Sequence, residues 1–208
     1  TPAVLIPRPD SELLVMECLA RVKEQASPRI VDVGVGSGNL VVALARRHPG
    51  AMLTAVDVSP EALAIARENA ATHGVAERIR FLESDLLAGV PAEETFDCIV
   101  SNPPYIAEED LPSLPRGVRE YEPLTALSGG PGGFVVFDRL IAEAVDRLTP
   151  GGHLLLEIGT AQEAPARAKL EALGAFTLAP TIHDFAGHPR VLHAQRRGLL
   201  GKAGAGGD

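Results

Sequence analysis

Arg29-Ile-Val-Asp32-Val-Gly34-Val-Gly36-Ser-Gly38-Asn39 is a short β-branched run that passes straight into three alternate glycines. The run, residues 29–34, predicts a buried strand. A helical stretch follows from about residue 37 to residue 48 and stops at Pro49-Gly50. Strand, glycine turn and helix in succession open a parallel α/β unit. Gly34, Gly36 and Gly38 let the backbone approach a ligand closely. The spacing is Gly-x-Gly-x-Gly. The dinucleotide fingerprint needs Gly-x-Gly-x-x-Gly, and its later position is Asn39 here. Asp32, inside the strand, is foreign to that fingerprint. It can accept from a ligand ammonium or hold the turn. A tight turn without any ligand is the plainer alternative.

The same alternation extends outward. Residues 10–26 read as a helix, with Leu13, Leu14, Met16, Leu19, Ala20 and Val22 on its apolar positions and Asp10 or Ser11 as its cap. Strands are expected at 52–57, 79–84, 96–101 and 153–158. Ser59-Pro60-Glu61 caps a helix that reaches about His73, and further helices cover about 134–148 and 161–173. The end, 175–197, reads as two strands joined around residues 184–189. Seven strands in this order imply an α/β fold with a mostly parallel, doubly wound sheet and an antiparallel terminal hairpin. Ligands in such sheets sit beyond the carboxyl ends of the strands. The organisation expected is a lid or linker helix segment at 1–28, the main domain at 29–197 and a Gly/Ala-rich flexible tail at 198–208.

With 208 residues, 46% of them apolar and 22% charged, the chain can bury a sizeable core. No apolar run reaches the roughly 18 residues of a membrane span, and no secretory signal opens the chain. The formal charge of -8 argues against a stable nucleic-acid complex, which draws its affinity from cations on phosphates. Cys18 and Cys98 form no Cys-x-x-Cys pair and read as small buried hydrophobes in a reducing, cytoplasmic setting. His183, His188 and His193 are spaced so that a metal site can be imagined, but no His-x-x-x-His helix supports one, and no metal is expected.

Acidic residues close the next two strands. Asp57 can accept both hydroxyls of a ribose, or merely cap the helix at Ser59. Asp85 can accept from an adenine amino group, with Val58 and Leu86 walling the ring, or stand as a solvated loop charge. After the fourth strand comes Asn102-Pro103-Pro104-Tyr105. Two prolines fix φ and leave carbonyls free to accept. Asn102 adds an acceptor oxygen, and Tyr105 offers a flat face to a planar group. Together they suit an –NH2 nitrogen with a delocalised lone pair, such as an amide or an aromatic amine. The chain has only three Asn and two Tyr, and one of each falls here. The long Pro/Gly-rich stretch 102–133 that follows has the length of a functional loop.

The ordered acids resemble the Rossmann-like class I methyltransferases, which implies S-adenosyl-L-methionine as cofactor and S-adenosyl-L-homocysteine as product, with no metal. Asn-Pro-Pro-Tyr after strand four is similar to the amino-methyltransferases of adenine in DNA and of glutamine in proteins. Further stretches narrow the resemblance to the release factor glutamine N5-methyltransferases. Ile6-Pro7-Arg8-Pro9-Asp10-Ser11-Glu12 resembles their Pro-Arg-Pro-(Glu/Asp)-Thr-Glu segment. Tyr121-Glu122-Pro123-Leu124-Thr125-Ala126-Leu127 resembles their Glu-Pro-Leu-Xaa-Ala-Leu segment. Leu148-Thr-Pro150-Gly151-Gly152, Leu156-Glu157-Ile158-Gly159 with Gln162, and Asp184-Phe185-Ala-Gly187-His-Pro-Arg190-Val191 match further on. Ser11 and Val35 stand where the family usually has Thr.

By this resemblance Arg8, Asp32, Gly34, Gly36, Gly38, Asn39, Asp57, Val58, Asp85, Leu86 and Asn102 are expected at the cofactor. Asn102, Pro103, Pro104, Tyr105 and Glu122 are expected at the substrate, the tetrapeptide carrying the catalysis. Arg8 would reach from the lid segment toward an acidic group or the 102–130 loop, and its plainer role is a surface ion pair. The implied substrate and partner is the Gly-Gly-Gln glutamine of a peptide-chain release factor, methylated by a monomeric enzyme. The alternatives are a ribosomal-protein glutamine, as in the sister family, and adenine N6. The family also carries a helical docking domain upstream of the segment at which this chain begins.

Overall fold

The computed structural model describes residue 4 and residues 11–198, the side chains of Ser11 and Glu120 aside. Arg8, the Asp10/Ser11 cap and the tail from residue 199 lie outside the described residues.

Five strands run parallel: β1 (Arg29–Val33), β2 (Met52–Asp57), β3 (Ile79–Glu83), β4 (Phe96–Ser101) and β5 (Leu148–Glu157). β1 and β4 are buried almost throughout, as a sheet covered on both faces requires. β6 (Phe176–Leu178), β7 (Ile182–His183) and β8 (Pro189–Arg196) complete the sheet in the order 3-2-1-4-5-8-6, with β7 also on β8. β8 runs antiparallel to β5. The order reverses between β1 and β4, so the crevice for a ligand opens at their carboxyl ends.

The terminal part departs from a two-stranded hairpin. β6 and β7 both pair with β8, β6 along its end and β7 along its start. The chain between them breaks at Ala179-Pro180, because proline has no N–H for the ladder. β5 also starts earlier than expected. Residues 148–152 stay in the sheet through a register shift opposite Phe96 and Cys98, and Thr149 Oγ1 donates to the Phe96 carbonyl.

Helices cover both faces. α1 (Ser11–Val22), α2 (Asn39–Arg47) and α3 (Pro60–Thr72) pack Leu14, Leu44 and Leu63 onto one face. α1 shares this core with the sheet. Ser59 caps α3, accepting the Ala62 N–H at 3.1 Å, with Pro60 in the first turn. The stretch 102–133 holds two short helices, α4 (Arg116–Tyr121) and α5 (Leu124–Leu127), between 3₁₀ turns. A bridge between Ile106 and Ser128 closes it into a compact loop. α6 (Val135–Arg147) and α7 (Glu163–Ala172) cover the other face with Phe137, Leu140 and Leu170. Among the described residues, no helix is long and apolar enough to cross a membrane.

Candidate active site

A cavity of about 220 Å³ opens at the carboxyl ends of β1, β2 and β4. Gly34, Gly36 and Asn39 from the first turn, Asp57 and Val58 after β2, Asp85 and Leu86 after β3, and Asn102 and Pro104 after β4 all line it. The parallel register sets these strand ends side by side, with Asp32 opposite Ala55 and Val100.

Asp57 is held by backbone donors on both sides. Its Oδ2 accepts from Gly36 N–H and its Oδ1 from Ser59 N–H, each at 2.9 Å. The carboxylate thus ties the glycine turn to the start of α3. Each oxygen keeps a further lone pair for a ligand hydroxyl. Capping itself falls to Ser59, which frees Asp57 from that role.

Asp85 pairs with Arg139 Nη2 at 2.7 Å, and both line the cavity. The pair is open to solvent and adds little to stability, but it fixes where the Asp85 carboxylate sits. The turn beneath it is pinned by Ser84, whose Oγ donates to the Leu86 carbonyl and accepts from Gly89 N–H. Leu86 is held at φ 51°, a left-handed conformation uncommon for a branched side chain and typical of strained ligand clamps.

Asp32 is buried and stands off the cavity wall. Its Oδ2 accepts from Val41 N–H at 3.2 Å, while its Oδ1 has no hydrogen-bond partner among the described residues. Burial pushes the carboxyl up to about 7, and the Asp57 charge adds to this against the pull of Val41 N–H. Gly38 does not line the cavity either. At φ +83° it begins α2, and a Cβ there would meet the Ala66 Cα and Cβ at 3.1 and 3.0 Å. Its work is close packing of α2 on α3.

In the tetrapeptide, the Asn102 side chain borders the cavity and bonds to none of the described residues. Pro103 is buried, and Tyr105 packs toward Gly159, so neither lines the cavity. Glu122 is buried one residue before Pro123, which does line it. Gln162 anchors the tetrapeptide. Its Nε2 donates to the Tyr105 carbonyl at 2.9 Å and the Gly133 carbonyl at 3.3 Å, and its Oε1 accepts from Gly159 N–H at 3.0 Å. The Pro104 and Tyr105 carbonyls lie hard against Gly129 and Gly133, where a Cβ would collide.

Sequence reasoning did not single out Arg139, Thr125, Ala126 or Val136 as site residues, yet they line the cavity. Val136 and Arg139 are three apart on α6 and so share a face, a periodicity that points to no ligand by itself. The other two lie in a stretch noted only for its motif.

The donor set fits the implied cofactor. A carboxylate ends β2 and another follows β3 at the cavity, and a carboxylate oxygen without a partner among the described residues lies beneath the first turn. No group of three or more metal-ligating side chains occurs among the described residues.

Sheet order and cavity together place this chain among the Rossmann-like class I methyltransferases. The methyltransferase small domain family matches residues 9–113. A ribosomal protein L11 methylase from Lactobacillus delbrueckii shares the fold, with a TM-score of 0.67 at 24% identity over 95% of this chain and 83% of its own. The curated relatives narrow the class. The release factor glutamine methyltransferases of Moorella thermoacetica and Rhodopirellula baltica are 43% and 40% identical over 95% and 93% of this chain. The aligned part is 69% and 67% of their own length. A solved protein-(glutamine-N5) methyltransferase (release factor-specific) from Alicyclobacillus acidocaldarius is 28% identical, with a TM-score of 0.56 over 95% of this chain and 98% of its own. The chain belongs to the release factor glutamine methyltransferase family.

Proposed function

We propose that this enzyme transfers the methyl group of S-adenosylmethionine to the side-chain amide nitrogen of the Gly-Gly-Gln glutamine in a peptide-chain release factor. The observation that carries the reading is Asn102. A side-chain amide borders the cavity that holds Asp57 and Asp85, and its own hydrogen-bonding capacity is unspent on the described residues.

When bound, the cofactor supplies an electrophilic methyl on a sulfonium. Asp57 would hold its ribose hydroxyls, and Asp85, Val58 and Leu86 its adenine. Arg8, Asp32, Gly34, Gly36 and Asn39 would serve the remainder, Gly38 keeping α2 in place behind them. Asn102 Oδ1 accepts one proton of the substrate amide at the cavity, and the backbone carbonyl of Pro103, a buried residue set behind the cavity wall, would accept the other on the substrate side. That grip aims the nitrogen at the methyl and stabilises positive charge as it grows on nitrogen. Pro104 shapes the wall beside the amide, while Tyr105 and Glu122 brace the substrate side through their packing. The amide proton leaves to solvent after transfer; among the described residues the cavity carboxylates are already engaged, Asp57 by Gly36 and Ser59 N–H and Asp85 by Arg139.

The reading takes the enzyme as a monomer in the reducing cytoplasm, without metal or stable nucleic acid. Buried Cys18 and Cys98, both free thiols, and the charge of -8 support that setting. The test is incubation of the enzyme with methyl-labelled cofactor and either a release factor or duplex DNA. Mass spectrometry should find one added methyl on the Gly-Gly-Gln glutamine and none on adenine. Label on DNA alone would replace this reading with adenine methylation.

A further inference from the structure

β8 runs antiparallel to β5, with Val191 opposite Glu157. The start of β8 therefore lies at the same end of the sheet as Asn102. The turn joining β7 to β8, residues 184–188, projects from that end with Phe185 fully exposed at 108%. One exposed apolar side chain is ordinary. One carried on a turn whose backbone is pinned by hydrogen bonds, at the active-site end of the sheet, asks for a partner.

Asp184 organises the turn. Its Oδ1 accepts from Ala186 N–H and His188 N–H, each at 2.9 Å, and its Oδ2 accepts from Arg190 Nε at 3.0 Å. Arg190 Nη1 donates in turn to Thr160 Oγ1 at 3.1 Å. Gly159, the next residue back, donates its N–H to Gln162, which grips the Tyr105 carbonyl. Turn and tetrapeptide thus stand on one hydrogen-bonded framework, and the position of Phe185 is set relative to Asn102.

The strands β4, β5, β8 and β7 are successive neighbours. Three strand spacings put the turn about 14 Å from Asn102 across the sheet. A protein interface of ordinary size covers about 800 Å² per partner, a patch of roughly 16 Å radius. Centred on the cavity, such a footprint reaches Phe185 at its rim. Two residues on either side of a glutamine span only about 7 Å and do not.

We infer that Phe185 is a docking knob that inserts into an apolar socket on the folded release factor, beside the loop carrying the methylated glutamine. The inference rests on the substrate reading above. A protein surface is favoured over a stacked nucleic-acid base because the chain carries a net charge of -8.

The experiment is steady-state methylation of whole release factor by the wild-type chain, Phe185→Ser and Phe185→Leu, with S-adenosylhomocysteine thermal shifts confirming that all three fold and bind. Phe185→Ser should raise KM for the release factor about tenfold and leave kcat within twofold. Phe185→Leu should keep KM within threefold of wild type. An unchanged KM in Phe185→Ser overturns the docking role. A fall in kcat at unchanged KM overturns it too, because the turn then acts only through the tetrapeptide. Phe185→Leu as poor as Phe185→Ser overturns the apolar socket in favour of flat stacking. A wild-type chain that binds S-adenosylhomocysteine but methylates no release factor sinks the substrate reading itself, and the docking with it.

Discussion

Gly36, in the turn after β1, and Asp57, the last residue of the neighbouring β2, are joined by a 2.9 Å hydrogen bond from backbone N–H to carboxylate. With Ser59 N–H on the other oxygen, the carboxylate meets a ligand already oriented. Asp57→Ala should therefore weaken S-adenosylmethionine binding by about 1.5–3 kcal/mol, the scale of charge-assisted hydrogen bonds. Titration calorimetry reads this directly, and unchanged affinity removes Asp57 from the ribose role.

Asn102→Ala should lower kcat by on the order of 10²–10³, as removal of one preorganised transition-state hydrogen bond does. Cofactor affinity should shift less than about threefold, or roughly 0.7 kcal/mol. Single-turnover transfer at saturating substrates measures the first quantity and calorimetry the second. A near wild-type rate would reduce the tetrapeptide to a turn, and lost cofactor affinity would put Asn102 on the wrong side of the cavity.

Gly132 and Gly133 both have positive φ, but only Gly133 is pressed against the Tyr105 carbonyl. Each change to Ala costs on the order of 1 kcal/mol in backbone strain. Gly133→Ala must also displace the tetrapeptide, so its Tm and kcat should fall well below those of Gly132→Ala. Equal behaviour of the two variants would deny that this packing positions the site.

Burial holds the Asp32 carboxyl up at about 7 in the free protein. A cationic ligand that favours its ionised form should bind more tightly as pH rises toward and through that value, then level off. Binding at pH 6.5 should release protons, visible as a binding enthalpy that changes with the ionisation enthalpy of the buffer. Asp32→Asn should abolish the release. The same release in the variant would assign it to another group.

His193 Nε2 lies 3.0 Å from His153 Nδ1, and Arg21 Nε donates to His193 Nδ1 at 3.4 Å. Burial first, then Arg21 and His153, hold His193 down to about 4 from an ordinary 6.5. Between those values the unfolded chain binds more protons than the folded one. Folding stability from this group is thus complete above about pH 6.5 and is lost as pH falls toward 4. Denaturant unfolding of His193→Gln should lose about 1–2 kcal/mol less than wild type between pH 7 and 4.5, after allowance for the partly solvated ring. Parallel curves would exclude the pair as an acid-sensitive element.

The alternation of strands and helices was legible in the sequence because each element carries its own signal. Residues 52–57 and 96–101 are apolar runs of strand length, and the Ser59 cap with Pro60 marks the start of α3 without any partner. The glycine turn, the strand-end acids Asp57 and Asp85, and Asn102-Pro103-Pro104-Tyr105 were legible for the same reason. Chemistry written in consecutive residues survives without a fold. The pairing of distant residues does not. Only the strand order 3-2-1-4 brings Asn102 to the cavity of Asp57 and Asp85. Only packing sends Arg139 to Asp85, sets Gly38 against Ala66, and keeps Asp32, Tyr105 and Glu122 off the cavity wall. Cys18 and Cys98 read correctly as buried, yet their Sγ atoms meet at 3.5 Å across eighty residues of sequence. A periodic pattern tells which face of an element is apolar. Which side chain at a strand end turns into the crevice depends on register, crossover and neighbouring helices, and those exist only once the chain has folded.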